Sequence, residues 1–376
     1  MEIFGSNRNG KDMENYNILK EEPGMKPYKL VIFHNSHENL RDVGKQDRPD
    51  VKLMNKASKA VGIELFNAEY SGSYIEEKDG KMFLHSFDFD ETGKAIKPSE
   101  DGKTHYQKPF EISPQDTLIF PRGLGTLGFT TNRRWVDMIK LLEDAGFYTV
   151  PSLKTWDICS SKFYCNELFR KNGLRTPKTV PITYSDDAER AVQDAGLKFP
   201  IILKASSGSQ TGVGVVIVES MRSLHPTVQM LSLLSKNIDL LAQEYINVDY
   251  DVRVIVLDGE IIAAMKRKVI SGDARSNASL GAETESFELT EIEKRDSIKS
   301  AQLCKGTLVG VDFLPAKNRE KDQPILLEIN SMPGFGGIER STKGKSVTKQ
   351  VLKHFMDRSK WKTTNESIVR VERWTL

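Results

Sequence analysis

Three residues near the end of the chain carry the strongest chemical signal. Asp312 lies in Gly310-Val311-Asp312-Phe313-Leu314, while Glu328 and Asn330 lie in Leu326-Leu327-Glu328-Ile329-Asn330. Both segments read as short apolar strands joined by a polar, charged connection from Ala316 to Gln323. Side chains two apart on a strand face the same way, so Glu328 and Asn330 point together. If the two strands pair antiparallel, Asp312 meets them, and two carboxylates and an amide oxygen gather at one place. Such an all-oxygen set suits Mg²⁺, which takes few protein ligands because phosphates and water complete its shell. Unpaired carboxylates in otherwise apolar strands are costly, so a metal site accounts for them better than chance does.

Other segments can serve a phosphorylated substrate, and each also has a plainer reading. Ile201-Ile202-Leu203-Lys204 ends a strand with a lysine just before the small-residue run from Ser206 to Gly212. Such loops can fold backbone N–H groups over phosphates, and Lys204 would add a point charge for the α and β phosphates. The chain has no G-x-x-x-x-G-K-[ST] run, so this is not a Walker A loop, and a flexible hairpin loop is an equal reading. Leu241-Ala242-Gln243-Glu244-Tyr245-Ile246 reads as a strand whose end can offer main-chain groups to an adenine and a carboxylate to ribose. Taken alone, it is better explained as a plain strand edge. Lys266-Arg267-Lys268 and Asp273-Ala274-Arg275-Ser276-Asn277 lie either side of a turn-rich loop. Their cations, facing Asp312 and Glu328, would make a site of both signs, as phosphoryl transfer requires. The alternative is a solvated basic loop, and nearness in sequence to the acidic strands favours function.

Gly123-Leu124-Gly125-Thr126-Leu127-Gly128 matches G-x-G-x-x-G but is a decoy. A dinucleotide fingerprint belongs in the first β–α turn, with an acidic residue ending the next strand. This run follows the third strand of its domain, Pro121 and Arg122 precede it, and Glu143 and Asp144 sit inside a helix. It reads as a tight loop facing the substrate cleft, not as a nicotinamide site.

The elements that position these groups fall into two regimes. Strands at Tyr28–Phe33, Ile63–Phe66, Asp116–Phe120 and Phe147–Val150 alternate with helices at Val51–Val61 and Trp135–Ala145, which indicates a small parallel α/β unit over residues 28–150. Residues 70–115 interrupt it with a hairpin turning at Asp79-Gly80 and an otherwise loop-like remainder. From Ser160 the pattern changes. One helix reaches Asn172 with Gly173 as its cap, and Ser185-Asp186-Asp187 opens another. Strands follow at 200–205 and 213–218, then a hairpin over 251–266 turning at Asp258-Gly259. A capping box at Thr290-Glu291-Ile292-Glu293 starts a helix to Cys304, and a final helix spans Ser346–Met356.

Composition bounds the class. A chain of 376 residues is too long for one small core, and 38% hydrophobic with 28% charged residues is ordinary for a globular protein. A net charge of +2 leaves no general footprint for nucleic acid or membrane. No apolar run approaches the roughly 18 residues of a membrane span, and the N-terminus lacks a signal-peptide core. Cys159, Cys165 and Cys304 form no C-x-x-C pair and read as reduced structural thiols, which makes the cytoplasm the default compartment.

Taken in order, the motifs resemble the RimK-type carboxylate–amine ligases of the ATP-grasp superfamily, over about Asp116 to Arg358. The landmarks are Pro121-Arg122, Ser161-Lys162, Leu203-Lys204, Gln243-Glu244-Tyr245-Ile246, Asp251-Val252-Arg253, Gly272-Asp273-Ala274-Arg275-Ser276-Asn277, Gly310-Val311-Asp312, Glu328-Ile329-Asn330-Ser331-Met332-Pro333-Gly334 and Gly337-Ile338-Glu339-Arg340-Ser341-Thr342. The resemblance implies an ATP-grasp architecture, α/β plus α+β: an N-terminal parallel α/β domain (28–152) and two α+β subdomains enclosing the nucleotide (153–240 and 241–360), to which a polar, Gly/Asn-rich composition adds a loose leader (1–27), with a tail (361–376). It implies ATP-phosphate contacts at Lys162 and Lys204, adenine contacts at Glu244, Tyr245 and Ile246, and Asp251 near the ribose. Arg275, Ser276 and Asn277 would line the phosphate and acyl-transfer site, with Arg267, Arg275 and Asn277 catalytic. Asp312, Glu328 and Asn330 would hold Mg²⁺, with Mn²⁺ as a substitute.

The implied reaction turns a carboxylate into an acyl phosphate at the expense of ATP, and an amine then attacks it to give an amide and phosphate. It needs no side-chain nucleophile, which agrees with the lack of a Cys–His or Ser–His pair in the sequence. The expected partners are ATP, an amino acid such as glutamate and a protein or peptide acceptor, without membrane or nucleic acid; a homo-oligomer is compatible. The rival readings are a peptide-maturing macrocyclase and a non-catalytic ATP-binding regulator. The leader and the 70–115 insert depart from the family pattern and bear on the acceptor.

Overall fold

Alternate residues of the first strand feed two different cores. In β1 (Lys29–His34), Leu30 and Ile32 face one side, while Val31 and Phe33 face the other. The first side packs on α1 (Pro49–Val61) through Met54 and Ala57. β1 pairs in parallel with β2 (Glu64–Glu69). A hairpin follows, β3 (Tyr74–Lys78) and β4 (Lys81–His85), turning at Asp79 and Gly80 with φ of 51° and 73°, the left-handed pair that a two-residue turn requires. β5 (Phe110–Ile112) adds a third strand where a loop was expected. Its three residues are too few for a periodic signal, yet Ile112 is buried and Phe110 stacks on Phe66. β6 (Thr117–Pro121), α2 (Arg133–Asp144) and β7 (Tyr148–Thr149) complete a parallel sheet of order β2-β1-β6-β7. α2 buries Trp135, Met138, Ile139 and Leu142, the i, i+3, i+4, i+7 stripe of an amphipathic helix.

The helix expected from Ser160 to Asn172 is α4 (Lys162–Lys171), and a further helix that was not expected, α3 (Leu153–Ser160), precedes it. Ser161 separates them in an extended conformation, and its hydroxyl caps the second by accepting from the Tyr164 N–H at 3.2 Å. Next come β8 (Thr179–Ile182), α5 (Ala188–Asp194), β9 (Ile201–Ala205), β10 (Val216–Val218), α6 (Met221–Leu234) and β11 (Leu240–Glu244). Their strands form an antiparallel sheet of order β10-β9-β11-β8 over a core of its own.

The last sheet is antiparallel, of order β14-β13-β12-β15-β16. It comprises β12 (Tyr250–Leu257), β13 (Glu260–Lys268), β14 (Thr284–Ser286), β15 (Leu308–Leu314) and β16 (Ile325–Asn330). Asp258 and Gly259 make the hairpin turn at φ 49° and 82°. α7 (Glu291–Leu303) begins with the expected capping box, the Glu293 N–H reaching Thr290 at 3.3 Å and the Thr290 N–H reaching Glu293 at 3.0 Å. One sheet face is apolar, with Val252, Val254, Val309, Val311 and Phe313 against α4 and α7. The other face is divided: Ile255 and Leu257 join the core of the N-terminal sheet, while Asp251 and Arg253, further back on the same strand, carry charge. α8 (Gly336–Ser341) and α9 (Val347–His354) close the fold. The last described residues are fastened to the first: Tyr28 donates to the Leu352 carbonyl at 3.1 Å, Arg358 to that of Pro27 at 3.0 Å, and Trp361 packs on Tyr28 and Tyr148.

This computed structural model describes residues 27–34, 49–89, 96, 106–124, 133–206, 215–234, 240–268, 283–342 and 344–361. The leader to residue 26, most of the Ser206–Gly212 run, Gly125–Gly128, the Arg275-Ser276-Asn277 segment and the tail from 362 lie outside the described residues. Among the described residues, no helix is long and apolar enough to cross a membrane.

Candidate active site

The register of the last sheet assembles a row of charge. Asp312 on β15 is the direct partner of Glu328 on β16 and of Arg253 on β12, while Asp251 on β12 is the partner of Arg267 on β13. Directly opposed residues share a face, as do residues two apart. All five side chains therefore stand on one surface, with Asn330 beside them. The antiparallel pairing expected from the sequence is observed, with a bulge between Asp312 and Phe313. Gly310, two before Asp312, leaves the space this row needs: a Cβ there would lie 3.0 Å from the Pro333 Cβ and 3.8 Å from the Arg253 Nε.

Asp312 is 2% exposed, and its two oxygens receive Arg253 Nε and Nη2 at 2.7 and 2.6 Å. Arg267 clasps Asp251 at 2.7 Å through both Nε and Nη2, and Nη2 also lies 3.2 Å from Asp312. Burial alone would raise the Asp312 carboxyl, but the two guanidinium groups outweigh it and hold it below the usual carboxylate range. For Arg267, burial disfavours the charge, and Asp312 and Asp251 more than restore it, so the guanidinium stays protonated. Asp251, which the resemblance placed near the ribose, has both carboxylate oxygens engaged by Arg267.

Glu328 is the less committed carboxylate. Lys162 Nζ stands 3.9 Å from it, and the Asn330 amide nitrogen lies 3.3 Å from Glu328 and 3.4 Å from Asp312. A half-turn of that amide presents its oxygen to the same place. Among the described residues, no group of three or more His, Cys, Asp or Glu side chains is arranged to hold a metal ion, so the candidate set needs the Asn330 amide as third ligand. Two carboxylates and an amide on one face fit a hard divalent cation that keeps part of its shell for other ligands.

The second sheet brings the lysines. Lys204 leaves β9 and donates to Gln243 Oε1 at 2.8 Å, and Gln243 in turn donates to the Thr179 hydroxyl at 2.7 Å. Burial draws the Lys204 amine down to about 8; Glu328 opposes that shift and Lys162 adds to it. The Lys162 N–H donates to the Ser206 carbonyl at 3.0 Å, tying the start of α4 to the end of β9. Glu244 ends β11 exposed, its carboxylate accepting from the Lys178 N–H at 3.2 Å; the strand stops there, and Tyr245 and Ile246 continue as half-buried, non-strand residues. The start of the glycine-rich decoy sits close by, since Arg122 donates to the Pro333 carbonyl at 3.0 Å. Sequence reasoning missed Arg253 as a site residue. Its signal was present in the two-residue spacing from Asp251, but its partner is set by a long-range register.

Residues 159–355 match the RimK-like ATP-grasp domain. A protein of Marinomonas sp. (strain MWYL1) named "Probable alpha-L-glutamate ligase" is 30% identical over 243 residues, 64% of this chain and 76% of that one. The macrocyclase MdnC of Microcystis aeruginosa, solved with its precursor peptide MdnA, shares the fold at a TM-score of 0.60 and 12% identity, over 87% of this chain and 98% of that one. The ATP-grasp ligase PsnB, solved with a precursor variant, Mg and ADP, matches at 0.56 and 15% identity, over 89% of this chain and 100% of that one.

Proposed function

The chain belongs to the RimK-like ATP-grasp family of carboxylate–amine ligases, and on that premise we propose that it uses Mg-ATP to join an amino acid, glutamate favoured, to a protein or peptide. The observation that carries the reading is the shared face of Asp312, Glu328 and Asn330 beside Lys162 and Lys204. The row holds three carboxylates, Asp251, Asp312 and Glu328, against four cations, Lys162, Lys204, Arg253 and Arg267. It therefore carries one net positive charge and suits a polyanion.

In this reading Lys162 and Lys204 hold the phosphates, and Glu244, Tyr245 and Ile246 border the adenine. Mg²⁺, or Mn²⁺ in its place, would be held by Asp312, Glu328 and Asn330 and would neutralise phosphate oxygens during transfer. Arg267 is fixed between Asp251 and Asp312, and Arg253 is held twice by Asp312, so neither needs reorganisation when negative charge develops on the acyl group. The acceptor carboxylate takes the γ-phosphoryl group, the amino group attacks the resulting acyl carbon, and phosphate leaves as the amide forms. Arg275, Ser276 and Asn277 are assigned to the same acyl-transfer side. We assign Asp251 the holding of Arg267. The glutamate preference rests on the names of the relatives, and the free thiols suit a reducing compartment such as the cytoplasm.

Incubation with Mg-ATP, each amino acid and a set of carboxyl-terminated peptides, followed by mass analysis, tests the reading. A product heavier by one amino-acid residue, with one phosphate released per addition, is the expected result. Loss of water from a peptide without amino-acid incorporation would identify a macrocyclase instead. Nucleotide binding with no product and no phosphate would identify a regulator.

A further inference from the structure

The three cysteines of the chain belong to one packed cluster beneath the last sheet. Cys159 lies in the last turn of α3, Cys165 in the first turn of α4, and Cys304 is the C-cap of α7. Their side chains pack in one cluster with Ile158 and Phe169, and Cys165 Sγ donates to the carbonyl of Ile158, next to Cys159, at 3.1 Å. Cys165 and Cys304 are buried, while Cys159 is partly exposed. Among the described residues no such group is arranged to hold a metal ion, which directs attention to the sulfur chemistry itself.

We propose that Cys159 and Cys165 form a reversible oxidation site that closes to a disulfide across the α3–α4 junction and displaces Lys162. The geometry favours this pair. The two residues flank Ser161 and Lys162, the short junction between the helices, and the Cys165 sulfur already points at the end of α3. A disulfide requires Cβ atoms about 3.8 Å apart, so closure draws the last turn of α3 onto the first turn of α4. Lys162 sits on that turn, and its N–H holds the Ser206 carbonyl at the end of the Lys204 strand. Movement there reaches both lysines. The consequence for nucleotide rests on the function proposed above, whereas the disulfide does not.

The oxidant class is a peroxide. The neighbouring thiols and the Lys162 charge draw the Cys165 thiol down to about 5, and this thiolate is the nucleophile. It attacks the O–O bond, giving a sulfenic acid and hydroxide, which takes a proton and leaves as water. The Cys159 thiol then attacks the sulfenic sulfur, forms the S–S bond and releases a second water. Two thiols and one hydrogen peroxide thus give one disulfide and two waters, the sulfurs losing two electrons and the peroxide gaining them.

The test treats the full chain with a small excess of hydrogen peroxide and then maps peptides without reduction. The expected map links Cys159 to Cys165. Affinity for an ATP analogue falls about tenfold, the loss expected when one charge-assisted phosphate contact from Lys162 is removed. Dithiothreitol restores both. Cys159→Ser and Cys165→Ser each lose the link and the sensitivity, and Cys304→Ser keeps them; the partly exposed Cys159 variant decides the matter should Cys165→Ser fold poorly. A link from Cys165 to Cys304, or no link at all, overturns the site. A Cys159–Cys165 link with unchanged affinity overturns its coupling to Lys162. A reduced protein that binds no nucleotide would count against the ligase reading, while the map would still decide the disulfide.

Discussion

Arg253 and Asp312 are direct partners across β12 and β15 and are joined twice, Nε to Oδ1 at 2.7 Å and Nη2 to Oδ2 at 2.6 Å. Both side chains of the pair are largely withdrawn from solvent, at 16% exposure for Arg253 and 3% for Asp312. A buried pair of this kind contributes modestly as a pair, but removing one partner strands the other. Arg253→Met should therefore lower unfolding stability by about 3–5 kcal/mol, with Arg267 tempering the loss toward the lower end. Arg253→Lys should recover little of it, because an ammonium cannot make two parallel bonds. Urea denaturation of the three proteins measures this, and a loss below about 1 kcal/mol for the Met variant would show that Arg267 alone suffices.

Glu328→Gln tests the candidate metal set with the least structural disturbance, since Glu328 is the carboxylate with the fewest commitments. Removing a charged ligand from a site that clamps polyphosphate should raise the barrier by several kcal/mol, a rate loss on the order of a thousandfold. Circular dichroism and melting should stay close to the parent. Near-parental turnover in magnesium would remove Glu328 from the assignment.

Much of this site was legible in the sequence because its determinants are local. Glu328 and Asn330 share a face by strand periodicity, Asp258-Gly259 specifies its turn by backbone conformation, and Thr290 and Glu293 cap their helix within four residues. The unread parts depend on distant partners. β8 contains Pro181, which reads against a strand until the sheet order places it at an edge, where no ladder N–H is required of it. α6 carries Pro226 inside, and only its packing against β10 and α5 sustains it. α3, only eight residues long with Thr155 as its buried residue, gives too weak a periodic signal to stand out before Ser161. Arg253 reads as an ordinary strand residue until the register sets it against Asp312.

The charge row bears on the order of binding. With three carboxylates facing four cations, Asp312 already saturated by guanidinium groups and Glu328 near Lys162, a bare divalent cation finds a repulsive field. Calorimetry should detect no Mg²⁺ binding to the free protein at millimolar metal and clear binding once a non-hydrolysable ATP analogue is present. Tight Mg²⁺ binding without nucleotide would refute this order.

Gly310 offers a steric test of the same face. Its Cβ would have to share space with Pro333 at 3.0 Å, beside Arg253 and Asn330. Gly310→Ala should cost about 1–3 kcal/mol of stability, as overpacking does. It should also lower turnover more than a surface alanine of equal stability loss, because the displaced turn follows directly on Asn330. Equal effects on turnover in the two variants would make Gly310 a packing residue only.

Lys204 gives the pH dependence. Its amine titrates at about 8 in the folded chain, against an ordinary value of 10.5, chiefly because it is buried. Below pH 8 both folded and unfolded chains carry the proton, and folding bears the whole cost of burying the charge. Between pH 8 and 10.5 the folded chain gives up its proton first, so the unfolded chain binds more protons and stability rises with pH. The gain from this residue should approach about 3 kcal/mol across that window, at about 1.4 kcal/mol per pH unit. Nucleotide affinity should move the other way, falling as pH passes 8, because a neutral amine no longer attracts phosphate. Lys204→Met should therefore be more stable than the parent at pH 7, lose the rise between 8 and 10.5, and bind ATP weakly at every pH. Stability curves from urea titrations at pH 7, 9 and 10.5, together with affinities at the same values, read both trends. A parent whose stability shows no Lys204-dependent rise would mean that the amine is hydrated, or paired with Glu328 strongly enough to cancel its burial.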